Sequence, residues 1–476
     1  MIDVDMVIEL TGLNDIIPDI YARFRPIVRD GVSFLLSGIS PERFLGIVYA
    51  LSEEDTNAGR LVRLAQELPT LHKLGQTIAR NQNIDVGFRR SLVELENSIM
   101  KIDKAIIGAI IEDALGNWMN KHTVEIKYTV CYEASVAAVV DFTCNRLDGL
   151  DIGEGVFKVI KPGVTEHLQQ ELEILDALAG FYDSNRHRYD IDNFRFIDTF
   201  SDIKIALLKE IDLSNEQRNL GLARCFYNGV EAVKIPRLVS ASTDAVTVME
   251  LIIGEKITDA RLTPVQRKWC AKTLFSSLVC HPLFSDQQRS IFHADPHAGN
   301  IYYCAHNGHI AFLDWSLAGE LDKRDRAAIL RLSMDIFTRD ADRIYESTRS
   351  LSEGGIRDEL AIRGEIDRFV AEASTGFIEQ SLALLDRLAF KGVKFPGELL
   401  MFRKAIFTLK GVLQELDPGF DMDRHLIEFI KLLLLEELPL RWFYLFFPLA
   451  EDTLRYKSLL SNSDLIKIAQ EWIRLL

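Results

Sequence analysis

The chain alternates between two hydropathy rhythms. From the start to about residue 70, "PERFLGIVYALSEE" and "AGRLVRLAQEL" repeat apolar positions at helical spacing. Pro69 punctuates this part. Two further helical segments come next, "TLHKLGQTIARN" and "FRRSLVELENSIMKIDKAIIGAIIEDALGNWM". From 123 to 163 the period shortens: "TVEIKYTV", "SVAAVVDFTC" and "GVFKVIK" are β-rich runs separated by polar or glycine-containing breaks. Helices resume at 164–180 and 194–228, and "VKIPRLVSASTDAVTVMELI" again reads as strands. Beyond about 320 the pattern is helical and leucine-rich. This order predicts an α+β protein: a helical extension over 1–122, a strand-rich lobe with inserted helices over 123–255, a helical lobe over 256–425 and a helical tail over 426–476.

One stretch breaks the rhythm with chemistry. "SIFHADPHAGNIYYCAHNGHIAFLDWS" places His293, Asp295, His297 and Asn300 after the apolar pair Ile291 and Phe292, and a second apolar run ends on Asp314. Asp295 and Asn300 have the spacing of an HxDxxxxN catalytic loop. In phosphoryl transfer, an Asp at that place orients the attacking hydroxyl or accepts its proton. The Asn coordinates a metal ion, and an Asp from the next strand bridges Mg²⁺ to the phosphates. Two carboxylates and an amide are hard oxygen donors, which suit Mg²⁺ better than zinc. His293 reads as a residue that holds the loop.

Charge and cysteine usage narrow the field. At 476 residues and 48% apolar composition the chain can bury a large core. A net charge of -15 argues against a broad nucleic-acid surface and gives no general attraction to an anionic membrane. Cys131, Cys144, Cys225, Cys270, Cys280 and Cys304 form no CxxC pair, which suits a reducing compartment and a cytoplasmic location. No basic-then-apolar leader opens the sequence.

Upstream of the loop, Lys158 in "GVFKVIKPG" sits on a strand, where a lysine can hold the α- and β-phosphates of a nucleotide. Such a lysine needs a carboxylate, and "LLKEIDLSNEQRN" offers Glu210, Asp212 and Glu216. "VTVMELIIGEKI" leads from a strand into a connector, where the backbones of Glu250 and Leu251 could meet adenine.

Taken together, these segments resemble the UbiB/ADCK (AarF-domain) atypical kinase family over roughly residues 70–320. "KLGQ" resembles its KxGQ signature, "EASVAAV" its alanine-rich nucleotide loop, "EIDLSNEQRN" its ExD motif, and "HADPHAGN" with "LDWS" its catalytic and metal-binding motifs. The resemblance implies a bilobal, protein kinase-like fold whose KxGQ helix covers the active site. It implies ATP and Mg²⁺ as cofactors. Ala134, Ser135, Ala137 and Ala138 would line the nucleotide, Lys158 would be the nucleotide lysine with Glu210 as its partner, and Lys73, Gln76 and Asp212 would form the gating contact. Asn300 and Asp314 would hold metal beside catalytic Asp295. Two departures stand out: Ala298 replaces a usual Pro, and Ser316 a usual Gly. The implied setting is isoprenoid-quinone and other lipid metabolism, with a lipid or a lipid-biosynthesis protein as partner.

Two other classes share part of the pattern. Small-molecule phosphotransferases of the aminoglycoside and choline kinase type also combine HxDxxxxN with an Asp-Trp pair, and a pseudokinase scaffold would bind nucleotide without turnover. The tail adds a last expectation. Lys431, Glu436, Glu437, Arg441 and Glu451 interrupt every apolar run before it can span a bilayer, so no transmembrane helix is expected. "LLLLEELPLRWFYLFFPL" is nonetheless apolar enough to pack on the chain, cover a partner or contact a membrane peripherally.

Overall fold

The β-rich runs become one antiparallel sheet because their alternate residues have a helix to pack against. In the computed structural model, which describes residues 4–11, 19–71, 104–133, 136–145, 153–189, 196–372, 376–446 and 456–466, strands β1 (Glu125–Glu133), β2 (Ala137–Thr143), β3 (Glu154–Ile160) and β5 (Val246–Glu250) pair in the order β1-β2-β3-β5. Ala138, Val140, Phe142, Phe157, Val159, Val246 and Val248 form one core with Ile107, Ile111 and Leu115 of the helix Lys104–His122. Gly155 is required by that packing. A Cβ there would stand 2.6 Å from the Phe142 ring and 2.9 Å from the Met249 carbonyl.

The chain divides into two compact units, residues 1–218 with 237–251, and residues 219–236 with 252–476. In the first unit, helices α1 (Val4–Thr11), α2 (Arg25–Gly38), α3 (Pro41–Ser52) and α4 (Asn57–Glu67) precede α5 (Lys104–His122), α6 (Val164–Ser184) and α7 (Phe196–Glu210). Leu35, Leu36, Ile47, Leu51 and Leu64 of the extension share a core with Leu168, Leu172, Leu175 and Leu178 of α6. Polar groups sit within this interface. Glu171 of α6, fully buried, pairs with Arg43 of α3 and accepts from the Thr70 amide at 2.9 Å and hydroxyl at 2.5 Å.

Helix α8 (Leu213–Phe226) begins in the first unit and ends in the second. Residues 219–236, which the sequence places with the strand-rich lobe, pack in the second unit. There β4 (Val233–Lys234) joins β6 (Glu255–Lys256), β8 (Ile301–Cys304) and β9 (His309–Phe312) in a sheet of order β4-β9-β8-β6. Tyr227 sets its ring 5.9 Å from those of Phe312 and Trp315. Strand β7 (Arg289–His293) pairs with β10 (Ala318–Asp322). The remainder is helical: α9 (Pro264–Phe275), α10 (Lys323–Phe337), α11 (Ala341–Leu351), α12 (Glu359–Ala371), α13 (Phe377–Phe390), α14 (Gly397–Leu416) and α15 (Met422–Phe446). The fold is α+β with a helical C-terminal part, as the hydropathy pattern predicts.

The tail helix α15 packs by its charges. Glu437 and Arg441 are buried, pair at 2.8 Å and bind Ser458, while the Leu460 carbonyl accepts from Arg441. The Tyr456 ring lies under the same guanidinium at 3.9 Å. Leu432, Leu435, Leu438, Trp442 and Phe443 are exposed instead. Among the described residues no helix is long and apolar enough to cross a membrane.

Candidate active site

Strand β7 delivers the polar loop. Ile291 and Phe292 anchor it in the core, and His293, itself buried, organises the residues after it. Its Nε2 donates to the Leu313 carbonyl at 2.9 Å, and its Nδ1 accepts the Asp295 amide at 3.2 Å. Those two bonds select the neutral tautomer. Burial holds the imidazole below its ordinary pKa, against the Leu313 hydrogen bond and the nearby charges of Asp295 and Asp314, which push the other way. His293 therefore holds the loop, as its position suggests.

The pairing of β8 with β9 brings the oxygen donors to one end of a hairpin. Ile301 lies opposite Phe312, and just beyond that pair the Leu313 amide donates to the Asn300 carbonyl at 2.8 Å. Asn300 uses its Nδ2 to bind the Asp295 carbonyl at 3.2 Å, which leaves its Oδ1 as the atom that would face a cation. Asp295 is buried, and His297 Nε2 stands 4.0 Å from its Oδ2. Asp314 adopts φ 52°, a left-handed conformation that aspartate tolerates better than most side chains. Buried Trp315 holds the backbone beyond it, its indole donating to the Phe312 carbonyl at 3.2 Å and its carbonyl accepting from Asn219 at 3.0 Å. Asp295, Asn300 and Asp314 are thus brought into one neighbourhood.

Among the described residues no group of three or more His, Cys, Asp or Glu side chains forms a ready-made metal cage. The donors here are instead an amide oxygen and carboxylates. That set fits Mg²⁺, which is ordinarily bound by one or two carboxylates with phosphate oxygens and water completing its shell. Asn300 and Asp314 would hold it.

The first unit carries the lysine. On β3, Lys158 lies opposite Val139 on one side and Thr247 on the other. Its ammonium is 2.7 Å from Glu216 Oε1, and both side chains are buried. The family resemblance implied Glu210 in this role, and the correction has a local cause. Glu210 is the last residue of α7, whereas Glu216 lies in the first turn of α8. The next residue, Gln217, ties that turn to the sheet by donating to the Thr243 carbonyl at 2.7 Å and to Thr247 Oγ1 at 2.9 Å. Asp212, expected in a gating contact, caps α8 by accepting the Asn215 amide at 2.9 Å.

The remaining positions divide by strand geometry. Ala138 belongs to the core against α5, so it is on the face opposite Lys158, whereas Ala137 shares the lysine's face by alternation. The Glu250 amide is taken by the Arg237 carbonyl at 2.9 Å, and its carboxylate accepts the Arg237 amide at 3.1 Å. Glu250 thus has no N–H to offer a base, and Leu251 comes after it at the end of the segment. Lys73, Gln76, Ala134 and Ser135 lie outside the described residues. Sequence reasoning offered Glu216 beside Glu210 and Asp212 without choosing it, and the resemblance pointed to Glu210. The clue was the break at Ile211 and Asp212.

Comparison with known proteins gives the family. Residues 94–348 match the model of the ABC1 atypical kinase-like domain. A probable protein kinase UbiB of Xylella fastidiosa (strain 9a5c) is 24% identical over 83% of this chain and 74% of its own length. Another from Xanthomonas campestris pv. campestris (strain B100) is 27% identical over 84% and 75%. Among solved structures, the Rv3197–erythromycin complex from Mycobacterium tuberculosis covers 73% of this chain and 87% of its own at 16% identity, with a TM-score of 0.46. The Rio2 kinase–ADP/Mg²⁺–phosphoaspartate complex from Chaetomium thermophilum covers 77% and 99% at 14% identity, with a TM-score of 0.27. With the HxDxxxxN loop, the Asp-Trp hairpin end and the lysine–glutamate pair in place, the chain belongs to the ABC1 (UbiB/ADCK) family of atypical kinases, and its fold is kinase-like.

Proposed function

We propose that this protein binds Mg²⁺–ATP and turns it over, as an ATPase or a phosphotransferase of the UbiB type. The observation that carries the reading is the hairpin end that holds Asn300 and, one residue past Leu313, Asp314, with buried Asp295 bound to Asn300. Asp295 would orient the attacking hydroxyl or water and take its proton. Bound Mg²⁺ supplies neutralisation of the phosphate charge. Lys158, fixed by Glu216, would hold the α- and β-phosphates, with Ala137 beside it and the Leu251 backbone available to adenine. The lipid or isoprenoid-quinone setting implied by the family resemblance belongs to this proposal. The exposed leucines and aromatics of α15 support an apolar partner there.

The test is thermal stabilisation by ADP or ATP with and without Mg²⁺. The expected result is a Mg²⁺-dependent upward shift that Asp314→Asn largely abolishes while the unliganded melting point stays put. Folded wild-type protein that no adenine nucleotide stabilises would overturn the reading. Turnover assays with added lipids and small hydroxyl compounds then separate hydrolysis from transfer.

A further inference from the structure

The Asp314 backbone is fixed on both sides, by the Leu313 amide on Asn300 and by buried Trp315. The carboxylate is held as well, and Ser316 supplies two of the bonds that hold it. Its hydroxyl donates to Asp314 Oδ1 at 2.6 Å, and its own amide donates to the same oxygen at 3.2 Å. Ser316 is 5% exposed, so water competes poorly for either bond.

We propose that Ser316 is a positioning residue for metal binding. By engaging Oδ1 with two donors, it fixes the orientation of the carboxylate that would hold the cation. The inference rests on the Mg²⁺–nucleotide reading above and adds to it the side chain that sets the ligand's geometry. Partners that orient a ligating carboxylate are worth about tenfold or more in metal affinity. Glycine or alanine at 316 keeps the amide bond but loses the hydroxyl, and threonine keeps both.

The experiment titrates Mg²⁺ against a fluorescent ADP analogue bound to the full chain, and repeats the measurement in EDTA. Ser316→Ala and Ser316→Gly should each raise half-saturating Mg²⁺ about tenfold. Metal-free nucleotide affinity and the unliganded melting point should stay at wild-type values, and Ser316→Thr should restore the wild-type Mg²⁺ requirement. A Mg²⁺ requirement unchanged in both the Ala and Gly variants overturns the proposal. So does an equal loss of nucleotide affinity in EDTA, which marks a role in general packing. Wild-type protein that binds nucleotide without regard to Mg²⁺ overturns the underlying reading, an outcome visible before any variant is made.

Discussion

Removing Glu216 should cost more than removing Glu216 and Lys158 together. The ammonium lies 2.7 Å from the carboxylate, with side-chain exposures of 7% and 5%, so neither charge can recover hydration once its partner is gone. Breaking a buried pair of this kind costs about 3–5 kcal/mol, whereas replacing both members by apolar groups of similar volume is often close to neutral. Glu216→Leu and Lys158→Met should each lower the stability of the first unit by roughly that amount. The double variant should regain most of the loss, so the coupling should be larger than either single loss. For a unit of this size each kcal/mol moves the melting point by about 2–4 °C, so the single variants should melt about 6–20 °C lower. The measurement is urea unfolding without nucleotide, paired with hydrogen exchange of the β3 amides to locate the loss. Single losses that simply add in the double variant would refute the reasoning. The pair would then be a surface-like contact with no mutual dependence.

Arg326→Met should cost about 3 kcal/mol or more in the second unit. The buried guanidinium donates to the carbonyls of Pro282, Leu283, Ser285 and Gln287, and burial has pushed its pKa down to about 10. Arg326→Lys should recover only part, because an ammonium cannot reproduce the planar fork, and urea midpoints decide. Burial lowers the His281 pKa, partly offset by the Phe226 carbonyl, so the folded protein binds fewer protons than the unfolded chain below the ordinary value of 6.5. Stability is complete above that pH and falls as pH drops through the window beneath it. His281→Phe should flatten the urea midpoint between about pH 7.5 and 5.5, the residual slope coming from groups such as His293. Glu171→Gln should leave Arg43 without its counter-charge and loosen α3 from α6, read as faster limited proteolysis of residues 53–71.

The parts of this protein that depend on short-range pattern were legible in its sequence. β1 to β3 announce themselves as apolar runs between polar breaks, and the loop from His293 to Asn300 concentrates polar groups where a bland hairpin would not. What escaped depends on distant partners. Glu210 and Glu216 are equally plausible in a continuous helix, and only the interruption of the helix at Ile211 and Asp212 and the anchoring of Gln217 on β5 decide between them. Ala137 and Ala138 cannot be sorted until the register with β3 shows which one shares a face with Lys158. Ser316 was visible as a departure from the family pattern, but its bond to Asp314 depends on the left-handed turn at that aspartate.

Helix α15 is built inside out, and this governs how the protein behaves in solution. A truncation at residue 425 looks harmless at first, since it removes an apolar tail. In the folded chain it would also strip Phe429 from its stack on Phe284, 5.5 Å away, and open the interior beneath. Trp442 at 68% exposure and Leu435 at 63% meanwhile give the intact molecule a greasy outer ridge, while the charges of Glu437 and Arg441 face inward. Raising the salt will not quiet such a ridge, because screening acts on charges. Concentrated samples should self-associate most readily under salting-out conditions, and mild detergent should disperse them.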